Sequence, residues 1–416
     1  MQNMTGNVCV AALVGGLAWS ASGEALWSQM RGANHQARVA SKTAPVTFDA
    51  KQVNWSKELK GVGFTTPVFG GGNMYLVNSE GEPREAGVRR LIALDPDIGA
   101  VRWEREASYT GYKHHKANHP TSGNPVTNED GVFVVWYTGS EVEARGYGHD
   151  GSLMWKRSFG DITNRFGYGT SASLVGGKLF IPMSQNFLPS ELHALDTKTG
   201  KVAWTVKTKE GKCGYGPVVP WRPAPGAKEV AVYSTMADGI VAFDPANGKE
   251  VWRLSPTFAA NRVSMVSVSG NRLCVTSGSG RNGADAHVYT WDGKAKAPKE
   301  AYVLTRGASY VPTPLFHGDR LLMWNDIGIV SCFNADDGKE LWKQRITSDT
   351  NASPIAVGDA VINVSMDGEV VSFPLENTAP EKPFRYDLDG RVNATPAYHK
   401  NRLYLRTWSG IQCIGK

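Results

Sequence analysis

The chain has 416 residues, 41% hydrophobic and 20% charged, which is enough apolar material for a large core. Its formal net charge of +6 is spread along the sequence with no run of five or more basic residues, so nucleic-acid binding has no electrostatic footprint. The 5 cysteines stand far apart, with no Cys-x-x-Cys and no adjacent pair, which argues against a cysteine metal site and against a disulfide scaffold.

In chain order, Val8 to Ala18 is an apolar run too short to span a bilayer comfortably. Small residues follow at Ala21-Ser22-Gly23 and Gly23-Glu24-Ala25, in the layout a signal peptidase reads, although no Lys or Arg precedes the run. Residues 1–25 are therefore read as a signal peptide, with a disordered or buried segment as the alternative. Cys9 lies inside the run and not behind a small-residue box, which disfavours a lipid anchor. No other stretch reaches about 18 apolar residues, so no transmembrane segment is expected and the mature chain is placed in the periplasm or outside the cell. Residues 26–52 carry Trp27, Arg31, Gly32, Asn34 and Pro45 without periodicity and read as an extended arm.

From Val53 onward a unit repeats. Leu192-His193-Ala194-Leu195-Asp196 leads through Gly200 to Trp204: a strand, a tight turn opened by Asp, and a second strand bearing a large ring. The pattern returns at Leu91 to Trp103, His149 to Trp155, Val241 to Trp252 and Ser331 to Trp342. Each unit opens on a Pro or Ser before an aliphatic residue, at Pro67, Pro125, Ser173, Pro217, Ser267, Pro314, Pro354 and Pro396. Four short strands per unit of roughly 40–50 residues fit a propeller blade. Helical solenoids are disfavoured by period-2 alternation rich in Val, Ile, Tyr and Gly. The fold class is all-β: an eight-bladed β-propeller of four-stranded antiparallel blades. Units five and seven are degenerate, with Tyr289-Thr290-Trp291-Asp292-Gly293 and Phe384-Arg385-Tyr386 in place of the standard residues, so seven blades is the alternative. The last unit stops at Ile414 without a Trp strand, whereas Val53 to Leu59 carries Trp55 without a unit. Ring closure by this N-terminal strand is predicted, and residues 53–416 are read as the propeller. The turn aspartates occur one per blade and are read as turn formers, not Ca²⁺ ligands.

The sequence Ala194-Leu195-Asp196-x-x-x-Gly200-Lys201-x-x-Trp204 resembles the repeat of the PQQ-like, quinoprotein-type propeller family over essentially the whole of Val53 to Ile414. The resemblance implies that the outer-strand Trp docks between neighbouring blades. The quinone-binding subset usually carries adjacent cysteines and a Glu/Asn/Asp set for Ca²⁺, and neither is found here, so no cofactor, PQQ or Ca²⁺, is expected. In size the chain is similar to BamB-like secreted or periplasmic members, departing from them in lacking a lipobox cysteine. That likeness implies a non-catalytic binding or assembly scaffold for an envelope protein. The alternative is a carbohydrate-binding or carbohydrate-active protein using the central channel, and a PQQ-dependent dehydrogenase ranks last. A monomer is expected, with a small polar or carbohydrate molecule as the other class of partner.

No nucleophile elbow, phosphate loop or dinucleotide fingerprint stands in a suitable context, and no catalytic or metal-binding residue is assigned. The candidate binding residues lie where the repeat is interrupted. Tyr109 to Pro120 holds three of the 9 histidines, and Tyr112, His114, His115 and His119 are its candidates, against a bland reading of locally bonded polar side chains. Residues just ahead of each inner strand should rim the channel: Phe64, Ser122, Tyr168, Tyr215, Arg262, Tyr310, Asn351 and Asn393, with Arg165, Arg281, Arg306 and Arg391 adding positive charge. The bland reading of these is strand-end satisfaction and channel water.

Overall fold

In the third blade, Ser173–Val175, Lys178–Met183, Glu191–Asp196 and Val202–Lys207 pair antiparallel in that order from the axis outward. The computed structural model describes residues 27–40, 47–81, 84–162, 166–212, 214–258, 261, 264–279 and 282–415. Each blade is sandwiched between two others. Its middle strands are therefore buried on both faces and read as continuous apolar runs. The outermost strand Val202–Lys207 faces solvent on one side and alternates half-buried with exposed residues. Eight such sheets follow one another around a ring, so the seven-blade alternative falls. Among the described residues no helix is long and apolar enough to cross a membrane. Cys274, Cys332 and Cys413 are buried, as expected of small core residues; Cys213 lies outside the described residues.

The ring closes as predicted. Val53–Glu58 pairs antiparallel with Gly410–Gly415, placing Val53 opposite Ile414 and Trp55 opposite Cys413. The eighth blade is thus made from both ends of the ring, and no blade is left with an unpaired third strand.

Adjacent blades are fastened by the repeat itself. The indole Nε1–H of Trp55 donates to Pro96 O, that of Trp103 to His149 O, Trp155 to Thr197 O and Trp204 to Pro245 O, at 2.7–3.2 Å. In each case the acceptor lies in the outer turn of the next blade. The turn glycine lies against the same ring: a Cβ on Gly200 would stand 2.5 Å from Trp155, and one on Gly248 2.6 Å from Trp204. These glycines also adopt φ of +64° and +74°, so two independent constraints select the residue. Blade five lacks the Trp and uses Tyr302, whose OH donates to Ala335 O at 2.9 Å. Its own turn carries Trp291, so Trp252 of blade four packs against Trp291 and Trp221 at centroid separations of 5.7 and 6.0 Å. In blade seven Phe384 and Tyr386 receive the edge of Phe48, both at 5.0 Å.

Residues 27–39 differ from the extended arm read in the sequence. They enter the central channel through tight turns, with Arg31, His35 and Ala37 at φ of 65°, 57° and 55°. There they meet the free edges of the inner strands. Trp27 O accepts from Phe69 N–H of blade one and Ser28 O from Thr127 N–H of blade two. The Gln29 side chain exchanges two bonds with the Leu174 backbone of blade three. Arg38–Val39 then runs parallel to Ile355–Val357 and gives blade seven a fifth strand. An inner strand facing an empty axis would bury unpaired N–H groups, and the arm supplies their acceptors. The segment read as a signal peptide lies outside the described residues.

Candidate functional site

Connections from each outer strand to the next inner strand converge on the axis. They surround an open funnel of about 540 Å³, whose floor is Met30 of the arm. The funnel throat is a girdle of hydrogen bonds between successive blades, all made by the residue two positions ahead of an inner strand. Thr66 N–H donates to Asn124 Oδ1 (2.6 Å) and Asn124 N–H to Ser171 Oγ (3.0 Å). Met265 N–H donates to Thr313 Oγ1 (3.3 Å), Thr313 N–H to Ser353 Oγ (2.9 Å), and Ser353 N–H to Thr395 Oγ1 (3.0 Å). At the equivalent place in blade four Pro217 has no N–H, and Met265 in blade five offers no oxygen to receive one. A polar residue two positions before the inner strand, in six of the eight blades, is the sequence signal for this girdle.

Of the residues anticipated from the sequence, His115, Tyr215, Tyr310, Asn351 and Asn393 line the funnel, together with Phe64 and Ser122. His115 Nδ1 accepts from Ala117 N–H at 3.2 Å, which assigns the ring proton to Nε2. His119 stacks on Phe64 with centroids 4.6 Å apart, its Nδ1 2.8 Å from Thr121 Oγ1. Burial, and then the neighbouring His114, Arg89 and Arg406, lower its pKa to about 4, so it is neutral near pH 7. Asn393 Oδ1 accepts from Trp408 Nε1–H at 2.7 Å, and the Arg391 guanidinium lies 4.2 Å over that indole. Trp408 was not anticipated.

Tyr112 and His114 do not line the funnel. Tyr112 OH accepts from Arg89 at 2.9 Å; Arg89 also donates to Pro120 O and Tyr137 O and lies 4.4 Å over the Tyr109 ring. This buried guanidinium therefore anchors the histidine-rich connection, and His114 is buried against Tyr112, with ring centroids 5.6 Å apart and its Nδ1 3.0 Å from His115 O. Tyr168 corrects the sequence reading. Its ring is buried in the core between blades two and three and its OH donates to Pro182 O at 3.3 Å, because a large aromatic ring gains more from burial there than at a wet rim. Arg306 is exposed and is not a lining residue. Arg165, Arg262 and Arg281 lie outside the described residues.

A second polar cluster escaped sequence reasoning because its members sit on three strands. On one face of blade five, Ser277 donates to Asp285, His287 Nε2 lies 3.4 Å from Asp285 Oδ2, and His287 Nδ1 is 3.1 Å from Glu300 Oε2. Tyr289 OH donates to the same Glu300 oxygen at 3.1 Å. The Asp285 contact and then Glu300 raise the pKa of His287, against the opposing effect of burial. A histidine whose folded pKa lies above its unfolded value adds stability at pH below the unfolded value. That increment is lost as pH rises through the folded value. The difference in melting temperature between the wild type and His287→Gln is therefore expected to be largest near pH 5 and to shrink steadily toward pH 9. A difference independent of pH would refute the assignment. Among the described residues no group of three or more His, Cys, Asp or Glu is arranged to hold a metal ion.

The fold is shared with several solved structures. BamB from Moraxella catarrhalis matches at 15% identity with a TM-score of 0.60, covering 88% of this chain and 99% of that one. A europium-containing methanol dehydrogenase matches at 13% identity and a TM-score of 0.63, covering 91% and 89%. The quinohemoprotein alcohol dehydrogenase from Comamonas testosteroni matches at 12% identity and a TM-score of 0.58, covering 94% and 80%. At such identities the likeness establishes the architecture, which binding scaffolds and redox enzymes share. No curated protein sequence is significantly similar to the chain. A repeat-family profile, described as outer membrane protein assembly factor BamB, matches residues 5–212, 189–373 and 237–410. Blades joined by outer-strand Trp rings and turn glycines, and a profile spanning nearly the whole chain, agree on one conclusion: the chain belongs to the BamB-like PQQ_2 family of β-propellers.

Proposed function

We propose that the protein is a non-catalytic binding scaffold of the cell envelope, with the open funnel face as its recognition surface. One observation carries this reading: the funnel is pre-built. Its throat is held by hydrogen bonds between blades, its floor is a segment of the chain's own arm, and its wall alternates aromatic rings with hydroxyl and amide groups. A surface ordered before its partner arrives pays less on binding. The family's description as an assembly factor supports a protein partner. Replacing His115, Asn351 or Asn393 with a photo-cross-linking residue is expected to capture one envelope protein in cells. Failure at all three positions, with an intact propeller, would overturn the reading.

Carbohydrate as ligand is the second reading, favoured by the faces of Phe64 and Trp408 beside uncharged polar groups. On that reading a glycan screen gives binding that Trp408→Ala removes. The proposal includes neither quinone nor Ca²⁺. Ca²⁺ takes roughly six to eight oxygen ligands, commonly carboxylates, and no Asp or Glu is among the described residues lining the funnel. Adding PQQ and Ca²⁺ is accordingly expected to leave the absorption spectrum equal to the sum of its parts.

A further inference from the structure

Two buried guanidinium groups stand directly behind the funnel wall. Arg31, next to the floor residue Met30, donates to Thr313 O at 2.8 Å and Pro314 O at 3.0 Å. Arg406 donates to Thr65 O (3.1 Å), Thr65 Oγ1 (2.6 Å), Val77 O (2.9 Å) and Asn78 Oδ1. Thr313 itself lines the funnel, and Thr65 adjoins the lining residue Thr66. Arg31 is 0% exposed and Arg406 2%, and the Nε of each has no hydrogen-bond partner among the described residues. Neither has a carboxylate within ion-pair distance among those residues. A buried cation bonded only to neutral oxygens is expensive, and its field is poorly screened in a low-dielectric surrounding. Burial accordingly lowers both guanidinium pKa values to about 9.

The groups that face the funnel have the same polarity. Thr313 Oγ1, Ser353 Oγ and Thr395 Oγ1 each accept a backbone N–H, which leaves the hydroxyl hydrogen to donate. Asn393 has its oxygen occupied by Trp408 and presents its amide N–H groups. His115 presents Nε2–H. Among the described residues the lining thus offers several donors and no carboxylate, with two guanidinium groups behind it that have no ion-pair partner; the Asp326 carboxylate behind the wall is engaged, accepting the N–H groups of Tyr310 and Val311 at 3.0 and 3.1 Å.

We infer that the funnel throat seats a carboxylate of the ligand, held by the hydroxyl and amide donors of the girdle over the buried Arg31 and Arg406. The inference rests on the funnel being the recognition site and adds the chemistry it selects. An acidic side chain of a protein partner and a uronic acid of a glycan share that chemistry.

The test is calorimetric titration of the full chain with two matched pairs, N-acetyl-glutamate against N-acetyl-glutamine and glucuronate against glucose. In at least one pair the acid is expected to bind tenfold or more tightly than its neutral partner, with affinity falling as salt is raised. The glutamate pair responding identifies a peptide source, and the sugar pair a glycan source. Arg31→Gln is expected to abolish the preference. Because Arg31 is also a packing residue, Asn351→Asp serves as the second variant: it changes one atom of a lining side chain that makes no hydrogen bond among the described residues. It should weaken the acid tenfold or more relative to its neutral partner while leaving the melting temperature unchanged. Equal binding within both pairs, no binding of either acid at millimolar concentration, or an Asn351→Asp variant with unchanged acid affinity would each overturn the inference. A rim cross-link to an envelope protein that persists alongside such a result keeps the scaffold reading and removes only the carboxylate.

Discussion

Trp155→Ala is expected to lower the free energy of unfolding by about 3–5 kcal/mol, the range for deleting a buried aromatic side chain. The ring is 6% exposed, stacks at 5.8 Å on Phe133 and donates its Nε1–H to Thr197 O at 2.7 Å. Its loss opens a cavity between blades two and three and leaves a turn carbonyl unpaired. The opposite face of the same contact predicts a second effect. Gly200→Ala places a methyl group 2.5 Å from that ring, on a backbone at φ +64°, and is expected to cost about 2–4 kcal/mol through overpacking and backbone strain together. The two changes are coupled: once the ring is gone, only the backbone part of the glycine effect should remain, about 1 kcal/mol. Denaturant titration of the two single variants and the double variant measures this directly. Additive effects would mean that the glycine and the ring do not act on one another, and that the repeat fastens its blades in some other way.

The second large effect is expected at Arg406. Replacing it by Met keeps much of the volume and removes the cost of burying a charge, which argues for a mild outcome. Against this, the four oxygens it serves are left in a dry interior, at about 1–3 kcal/mol for each one that stays unsatisfied. Those oxygens belong to blade one while Arg406 belongs to blade eight, so the side chain ties the two blades at which the ring closes. The unpaired oxygens should outweigh the relief, for a net loss of about 2–4 kcal/mol. Arg402→Met is the control. Its ion pair with Asp97, at 2.6 Å, joins the same two blades at the surface, where such pairs contribute about 0–1 kcal/mol. Comparable losses for the two variants would show that the buried network contributes no more than a surface pair.

How far the molecule could be read in advance follows from the range of its interactions. The Asp-to-Gly turn and the Trp beyond it lie within one hairpin, so each unit could be recognised alone, and repetition fixed the architecture. Even Trp55 was assigned to the blade of Ile414, because one unit lacked what the other had in excess. Tyr168 was misplaced for the same reason in reverse. Its position ahead of an inner strand matched the channel-rim pattern, but which way the ring turned depended on the space between two sheets. The histidines separated likewise: His115 faces the funnel, His119 stacks at its rim through Phe64, and His114 is buried, three outcomes within six residues. The donor-rich girdle was written in the sequence as one polar residue in six of the eight units, but its meaning required neighbouring blades to be brought together.

The sequence by itself determined the blade, its repetition and the closure of the ring, because those rest on alternation, turn geometry and a repeat that are local in the chain. Only the tertiary structure decided what fills the channel and what faces it. The arm has no periodicity of its own: between Trp27 and Val39 it bonds in turn to blades one, two, three, six and seven, and its carbonyls and side chains answer inner-strand edges up to about 320 residues away. The same holds for the positive charge behind the funnel, since Arg31 and Arg406 come from opposite ends of the chain and approach the throat only when the ring has closed.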